Sequence, residues 1–250
     1  MIHYKTVQEI EIMKKCGSIL KRAVAELLPK AVPGITTEEL DKKAEELITV
    51  QGAEPSFNKV KGYQWTICSC INEQVVHTPP SNRALKKGDL LTIDIGAYYK
   101  GMHTDYATTF IVGGAGSKSI DSFCRVGSNT LEKAIGQAKA GNYLGQISQT
   151  IESEITKHGY YIMEQLTGHG IGRELHEDPF IPGFVDTPIE TTLKIAPGLV
   201  IAIEVIYSMG TKKIAYESGN QWSIVSKDKS LSACFEHTIA ITDKNTFILT

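Results

Sequence analysis

The chain has little net charge, few cysteines and no long apolar run, and each absence excludes a class of protein. Its 26 basic and 28 acidic residues give a formal net charge of −2, which argues against nucleic-acid or membrane-surface binding. No apolar stretch approaches the roughly 20 residues that span a bilayer, and charged Lys5, Glu9 and Lys14 lie where a signal peptide would be apolar. Five cysteines, an odd number, fit a reducing compartment better than a disulfide framework. We therefore expect a cytoplasmic protein without direct nucleic-acid or membrane partners.

Two capping boxes near the N-terminus predict a pair of helices. Thr6 with Glu9 begins the first helix, and Thr36 with Glu39 begins the second, which ends before Gly52. Apolar periodicity predicts a second pair over residues 119–140 and 144–158.

The glycines that bound the second helix of each pair have the same spacing. Gly34 and Gly52 are 18 residues apart, as are Gly141 and Gly159. This predicts two related halves with a site between them. Coincidence between two ordinary helix pairs is the alternative, because their side chains barely match.

Alternating or apolar segments predict the strands. These segments lie near residues 65–71, 90–99, 102–112, 199–207, 222–225, 233–242 and 247–249. We expect one α+β catalytic domain over residues 1–250, with a central antiparallel sheet flanked by helices and halves of roughly 1–112 and 113–250.

Asp94 and Asp105 occupy two alternating segments joined by a short turn, which predicts a β-hairpin. With Tyr99 and Lys100 as the loop, Asp94 faces Asp105, and their Cβ atoms lie roughly 4.5–5.5 Å apart. Like charges at that distance repel, so either one carboxyl is protonated or a cation lies between them. We favour the cation.

Two glutamates interrupt apolar strands further along the chain. Glu204 is the charged residue of the segment 199–207, and such a run implies burial on both faces. A buried carboxylate must be paired, protonated or bound to metal, and the chain has only four arginines for pairing. Glu236 shares its strand face with the small residues Cys234 and Thr238, which leave room for an ion.

Histidines supply candidate nitrogen ligands. His169 and His176 lie in a glycine-rich segment, although a phosphate loop or a tight turn would have similar glycines. His77 precedes a proline turn, where a histidine is usually structural.

The four acidic residues together carry four negative charges, which two divalent cations would cancel. Oxygen ligands with one imidazole suit Mn²⁺, Fe²⁺ or Co²⁺, and Zn²⁺ is an alternative. Two such ions about 3.5–4 Å apart can share a hydroxide and polarise a carbonyl, which predicts hydrolytic chemistry.

In their order along the chain, these residues resemble the site of the type I methionine aminopeptidases. The resemblance rests on His77, the two aspartates, the segment Gly-His-Gly-Ile-Gly-Arg at 168–173, and the two glutamates, and it covers nearly all 250 residues. It implies a pita-bread fold with pseudo-symmetric halves. It also implies removal of the N-terminal methionine from nascent proteins when the second residue is small, through attack of a metal-bridging hydroxide on the first peptide bond.

The same resemblance implies a role for each metal ligand. Asp94, Asp105, His169, Glu204 and Glu236 would bind the two ions, and Asp105 and Glu236 would bridge them. Glu204 would also move the proton of the attacking water.

Substrate contacts follow from the resemblance as well. His77 would lie close to the scissile peptide, and His176 would help to stabilise the oxyanion. The methionine side chain would be bound by Tyr63, Cys68, Leu175 and Trp222. A monovalent cation would lie near Asn72 and Ser232.

The chain also departs from the family pattern. Thr78 replaces the glycine usual after the first histidine, and Val205 replaces the proline usual after the strand glutamate. We expect these changes to affect substrate preference and rate more than metal binding. Only 28 positions separate His176 from Glu204, which leaves no room for the helical subdomain of the type II enzymes. We expect a minimal bacterial form, a monomer, that acts on nascent chains and has the ribosome as a further partner.

Three other functions are consistent with parts of the pattern. A proline-specific aminopeptidase would prefer Xaa-Pro peptides, and a binding module that has lost catalysis would hold no stoichiometric metal. A two-metal phosphoesterase would need cationic clamps on phosphate, and only Arg173 lies near the motifs.

Overall fold

The computed structural model describes residues 2–114 and 116–250. Its α-helices within those ranges are α1 (Val7–Leu27), α2 (Thr37–Thr49), α3 (Lys118–Ile135) and α4 (Leu144–Thr156). None of them combines the length and the apolar character that crossing a bilayer requires.

Both predicted capping boxes are present. The Thr6 hydroxyl accepts from the Glu9 amide, and the Glu9 carboxylate accepts from the Thr6 amide. Thr36 and Glu39 repeat this reciprocal pair at the start of α2. Each box satisfies two amides that the first helical turn cannot pair internally, which fixes where the helix begins.

The third helix is shorter than its apolar pattern predicts. It ends at Ile135 instead of near residue 140, because the chain then passes through two tight turns. The amide of Gln137 donates to Ala134, and that of Ala138 donates to Ile135.

Thirteen strands lie in the described part of the chain. In order they are β1 (Glu54–Pro55), β2 (Ile67–Ile71), β3 (Gln74–Val76), β4 (Leu90–Tyr99), β5 (Met102–Ile111), β6 (Tyr161–Ile162), β7 (Thr167–Gly170), β8 (Glu177–Pro182), β9 (Val200–Ser208), β10 (Ile214–Tyr216), β11 (Ile224–Ser226), β12 (Ser232–Ile241) and β13 (Thr246–Ile248).

The large sheet is antiparallel and has the order β1-β4-β5-β12-β9-β7-β8. Strand β2 also pairs with β4, β6 with β9, and β13 with β12, while β10, β11 and β3 form a separate small sheet. The predicted central antiparallel sheet is therefore confirmed.

Helices cover one face of the large sheet. Ile93 and Ile95 of β4 pack in one core cluster with residues of α1 and α2, and Ile203 and Val205 of β9 pack in another with residues of α3 and α4. Each such buried side chain contributes about 1.5–3 kcal/mol. Because neighbours in a strand alternate between faces, Asp94 and Glu204 lie on the face away from the helices.

Candidate active site

The β4–β5 hairpin turns one residue later than the sequence predicts. Its loop residues are Lys100 and Gly101, both with positive φ, at 48° and 86°, so the predicted loop of Tyr99 and Lys100 was wrong. Two-residue loops with positive φ at both positions match the twist of the flanking strands. Tyr99 is consequently the last paired residue of β4, opposite Met102.

The corrected register separates the two aspartates without moving them to different faces. Asp94 faces Ala107, and Asp105 faces Gly96, so the predicted direct pair is a diagonal one. Diagonal neighbours are about 7–8 Å apart, against about 4.5–5.5 Å for direct partners. The diagonal leaves more room for an ion between the carboxylates.

The glutamates continue a row that crosses four adjacent strands. Asp94 pairs with Ala107, Ala107 with Glu236, and Glu236 with Glu204. The pairing of Glu204 with Glu236 joins residues that the sequence analysis placed only on separate strands. Three of the four positions in this row are therefore acidic.

A second row, two residues along, adds the remaining predicted ligands. Asp105 lies on β5, and His169 pairs with Ala202 of β9. Ligand atoms of Asp105, His169 and Glu236 lie within 4.8 Å of one another, a spacing that can hold a metal ion. His169 Nε2 is 3.6 Å from a carboxylate oxygen of Glu204.

The His169 ring is oriented by its own backbone. Its Nδ1 donates to the Gly170 carbonyl at 2.9 Å, which leaves Nε2 unprotonated and directed toward the carboxylates. Burial, followed by repulsion from His176, lowers the pKa of His169 to about 3. The imidazole is therefore neutral at physiological pH, the form that binds a metal.

Burial and neighbouring carboxylates raise the pKa values of the acidic cluster. Burial, followed by repulsion from Asp105, raises the pKa of Glu204 to about 8, and burial raises that of Asp105 to about 7. Burial and neighbouring carboxylates raise the pKa of Asp94 and Glu236 well above the usual range. Desolvation and mutual repulsion both oppose the charged forms.

The unpaired oxygens fit a metal. Asp94 Oδ1 and Glu236 Oε1 are buried and have no hydrogen-bond partner within the described part of the chain. Such an atom ordinarily costs about 1–3 kcal/mol, more when it is charged. Divalent cations would pair with these oxygens and offset the repulsion between the carboxylates. The predicted ligand residues therefore fit a metal site.

Two threonines link β5 and β12, the strands between which the acidic rows cross. The Thr238 hydroxyl accepts from the Asp105 amide at 2.8 Å and donates to its carbonyl at 2.9 Å. The Thr109 hydroxyl does the same for Cys234, at 3.0 and 2.9 Å. Side-chain hydroxyls thus replace ladder hydrogen bonds on either side of Glu236. The sequence analysis missed this role, because threonine is common in strands and the pairing is visible only once the register is known.

An apolar cavity adjoins the acidic cluster. It encloses about 600 Å³ including its open mouth. Its walls include the four residues predicted to contact a methionine side chain, namely Tyr63, Cys68, Leu175 and Trp222. Phe57, Val60 and Val76 also line it. None of these three was among the residues predicted to contact the methionine side chain, and for Val76 the available signal was its position beside His77.

The aromatic wall is held by edge contacts and a buried phenol. Tyr63 packs edge-on against Trp222 at 5.2 Å between ring centroids, and its hydroxyl donates to the Ile67 carbonyl at 2.8 Å. Burial raises the pKa of Tyr63 and of Cys68, so both groups stay neutral. A neutral apolar cavity with a nearby thiol suits a polarizable thioether.

Both predicted substrate-contacting histidines line this cavity. His77 follows β3 with a positive φ of 60°, and His176 packs edge-on against His169 at 4.5 Å between centroids. Burial lowers the pKa of His77 to about 4 and also lowers that of His176. Each ring is therefore neutral at physiological pH and retains one N–H that can donate to substrate.

The predicted monovalent cation site lies at a strand crossing. The Ser232 amide donates to the Asn72 carbonyl at 2.9 Å, and the Ser232 hydroxyl is shared between the carbonyls of Gln74 at 3.0 Å and Asn72 at 3.2 Å. The Asn72 side chain is bonded to Asp89 and to the Leu90 amide. The structure thus places the two predicted residues in contact, and the carbonyl of Asn72 is the oxygen that they share.

The two departures from the family pattern have different surroundings. The Thr78 hydroxyl is 2.7 Å from that of Ser223, which ties the His77 segment to the residue after Trp222. Val205 packs in the core on the helix side of β9. A change at Val205 therefore acts on packing, whereas a change at Thr78 acts on the cavity wall.

Comparison with known proteins agrees with this site. Residues 11–243 match metallopeptidase family M24. Methionine aminopeptidase 1 of Bacillus subtilis is 39% identical over 250 residues, covering 100% of this chain and 99% of the relative. The methionine aminopeptidase of Borreliella burgdorferi is 38% identical over 248 residues, covering 99% and 98%.

Solved structures give the same answer. The crystal structure of methionine aminopeptidase from Thermotoga maritima has a TM-score of 0.95 at 37% identity, covering 100% of this chain and 99% of that one. Prolidase from Pyrococcus furiosus has a TM-score of 0.78 at 26% identity, but only 65% of its chain is covered. These similarities confirm the pita-bread fold, and the chain belongs to metallopeptidase family M24, among the methionine aminopeptidases.

Proposed function

We propose that this chain is a metal-dependent aminopeptidase that removes the N-terminal methionine from nascent proteins when the second residue is small. The observation that carries the proposal is a cluster of four carboxylates, two buried and two partly buried, with a neutral imidazole in a largely apolar cavity. The names of the B. subtilis and T. maritima relatives support the same activity.

Five side chains would hold two divalent ions, Co²⁺, Mn²⁺, Fe²⁺ or Zn²⁺. They are Asp94, Asp105, His169, Glu204 and Glu236. The diagonal placement of Asp105 and its closeness to Glu236 support a bridging role for these two. When bound, the ions would supply Lewis acidity toward the scissile carbonyl and lower the pKa of the attacking water.

Glu204 would take and deliver the proton. Its carboxylate lies at the end of the acidic row, 3.6 Å from His169 Nε2, and it also lines the cavity where substrate would lie. A general base must lie within reach of the proton that it takes, and Glu204 meets this geometric requirement because it borders both the ligand cluster and the cavity.

His77 and His176 would bind the peptide. As neutral rings on two different loops, both facing the cavity, they can donate N–H groups to the scissile peptide from two directions. His176, next to His169, is the closer to the metal ligands and would stabilise the oxyanion.

The cavity wall would select methionine. Tyr63, Leu175 and Trp222 offer an apolar surface, and Cys68 adds a neutral thiol. Leu175 and Trp222 present apolar surface, and the Tyr63 hydroxyl is already bonded to the Ile67 carbonyl, so a polar first residue would lose hydrogen bonds to water without replacing them there.

We also propose a cytoplasmic monomer that meets its substrates as they leave the ribosome, with a monovalent cation near Asn72 and Ser232. The five cysteines are all free thiols, four of them buried, which supports a reducing compartment. The formal charge of −2 supports an absence of direct nucleic-acid binding. The repeated contacts of Thr109 and Thr238 between β5 and β12 support pseudo-symmetric halves of roughly 1–112 and 113–250.

A peptide panel tests the activity. With metal bound, we expect cleavage of Met-Ala-Ser to be far faster than cleavage of Met-Lys-Ser or of Xaa-Pro peptides. Preference for Xaa-Pro peptides would point instead to a proline-specific enzyme. Hydrolysis of a phosphate ester is not expected, since the Arg173 guanidinium is bonded to Glu9.

A further inference from the structure

A buried ion pair links the N-terminal segment to the loop that carries His176. Lys5 donates from Nζ to Glu177, and the two side chains are only 2% and 4% exposed. Lys5 precedes α1, and Glu177 begins β8 directly after His176. Neither residue lines the cavity, so the pair acts on the site only through the loop.

The Glu177 carboxylate also closes its own loop. Its Oε1 accepts from the Arg173 amide at 2.7 Å and from the Glu174 amide at 3.0 Å, while Oε2 accepts from Lys5. One side chain therefore holds both ends of the segment 173–177, which includes Leu175 and His176. Loss of the Lys5 partner would leave this carboxylate buried with a charge that nothing balances.

Lys5 is itself anchored on the strand side of the site. Its amide donates to the Gly198 carbonyl at 2.7 Å, two residues before β9, and its Nζ also donates to the His3 carbonyl at 3.0 Å. A Cβ at Gly172 would lie 2.2 Å from Lys5 Cε, so glycine leaves the space through which the lysine passes. The lysine thus joins the strand that carries Glu204 to the loop that carries His176.

A second link between the same two segments is exposed. Arg173 is bonded to Glu9 at 2.8 Å, but its side chain is 55% exposed. Exposed pairs contribute about 0–1 kcal/mol, whereas removal of one partner from a buried pair is strongly destabilising. The buried pair is therefore the one able to fix the loop.

A buried ion pair is weak evidence for added stability, because apolar residues of similar volume often do as well. Its location is informative instead. We propose that Lys5 and Glu177 are positioning residues that hold His176 and Leu175 in register with the metal ligands. The proposal rests on the proposed function for its kinetic consequences, but not for its structural ones.

The test compares Lys5→Met, Glu177→Gln and the double variant as metal-loaded full-length proteins. In Lys5→Met we expect kcat for Met-Ala-Ser to fall by about tenfold to a hundredfold, since an ångström of misplacement can cost about 10²-fold. Metal content should stay at the wild-type value. KM should change less than kcat, because an oxyanion contact acts mainly in the transition state.

The double variant distinguishes a positioning role from a packing role. Glu177→Gln can still accept from the Arg173 and Glu174 amides but carries no charge, so adding it to Lys5→Met should recover part of kcat. Lys42→Met is the matched control, because it removes an exposed ion pair with Glu38 and should keep wild-type kcat.

Amide hydrogen exchange supplies a readout that does not depend on activity. Exchange at Arg173 and Glu174 should be faster in Lys5→Met than in the wild type, while exchange in β9 and β12 stays the same. If wild-type protein fails to cleave Met-Ala-Ser, the proposed function is wrong, and this exchange result still tests the positioning pair.

Wild-type kcat and wild-type exchange in folded Lys5→Met would overturn the proposal. A loss of kcat matched by loss of metal, or no recovery in the double variant, would also overturn it. If Lys5→Met does not fold, Glu177→Gln decides: lower kcat with full metal content supports the pair, and wild-type kcat contradicts it.

Discussion

The metal ligands and the substrate-contacting histidines are held in different ways. Four of the five predicted ligands lie on β4, β5, β9 and β12, where strand pairing fixes the acidic rows. His77 and His176 lie between strands, and side-chain contacts such as Thr78 with Ser223 hold their segments. We therefore expect single substitutions to weaken metal binding and substrate binding separately.

We expect the largest effect from the loss of a metal ligand that lies on a strand. Asp94→Asn should lower metal content and activity together, the latter by about 10³-fold or more, because metal ions supply several kcal/mol of charge stabilisation. Elemental analysis and cleavage of Met-Ala-Ser measure both quantities on one sample. Full metal content in this variant would remove Asp94 from the ligand set.

Substitution of a substrate-contacting histidine, His176→Ala, should have the next largest effect. Turnover should fall by roughly 10²–10³ if the ring supplies one oxyanion donor, while both the metal content and the fold remain. Single-turnover kinetics with elemental analysis check this. Loss of metal in the variant would mean that His176 acts on the ligands, and the two regions would not be separable.

A substitution where β5 meets β12 should have a smaller effect. Thr238→Val keeps the side-chain shape but leaves the Asp105 amide and carbonyl without their partner, at a cost of about 1–3 kcal/mol. We expect a lower Tm and weaker metal affinity, with little change in KM. Thr156→Val, at an exposed helix position, is the control and should change neither.

The smallest effect concerns pH in the chelated protein. Asp105 and Glu204 have folded pKa values of about 7 and about 8, above their unfolded values, so the folded state holds protons that the unfolded state has released. The free energy of unfolding should therefore fall as pH rises from about 6.5 to 8. The opposing contribution of the buried histidines lies below that range, because they titrate near pH 6.5 in the unfolded chain and lower in the folded one.

If the folded state holds one proton more than the unfolded state, the free energy of unfolding falls by about 1.4 kcal/mol per pH unit. For a chain of this size, that fall lowers Tm by about 3–6 °C per pH unit. Calorimetry at several pH values measures the slope. Reloading with Mn²⁺ should abolish it, since the bound ion keeps the carboxylates ionised. An equal slope with and without metal would contradict the assignment of these acids as ligands.

Local signals predicted the elements better than the contacts between them. The capping boxes at Thr6 and Thr36 bond residues three apart, so the sequence alone determines them. The hairpin loop lies one residue later than predicted, which shifts the strand pairing by two residues, because the loop depends on whether Tyr99 or Gly101 takes the positive φ. The four acids were nevertheless proposed as ligands from the sequence, since Glu204 and Glu236 interrupt apolar strands and the two aspartates lie in one hairpin.

Contacts between distant residues left no local signal. The pairing of Glu204 with Glu236 and the link from Lys5 to Glu177 join residues 32 and 172 positions apart. Such partners depend on how the strands are ordered in the sheet, and no spacing in the sequence specifies that order. Residues that position the loops are therefore the part of the site that required the structure.

We expect the acidic rows to bind metal and cleavage to depend on that metal. The most direct measurement titrates Mn²⁺ into chelated protein while following cleavage of Met-Ala-Ser. Activity should rise in step with metal occupancy, and Asp94→Asn should shift the whole curve to higher metal concentration. Full cleavage in the presence of chelator, or a curve unchanged by Asp94→Asn, would contradict it.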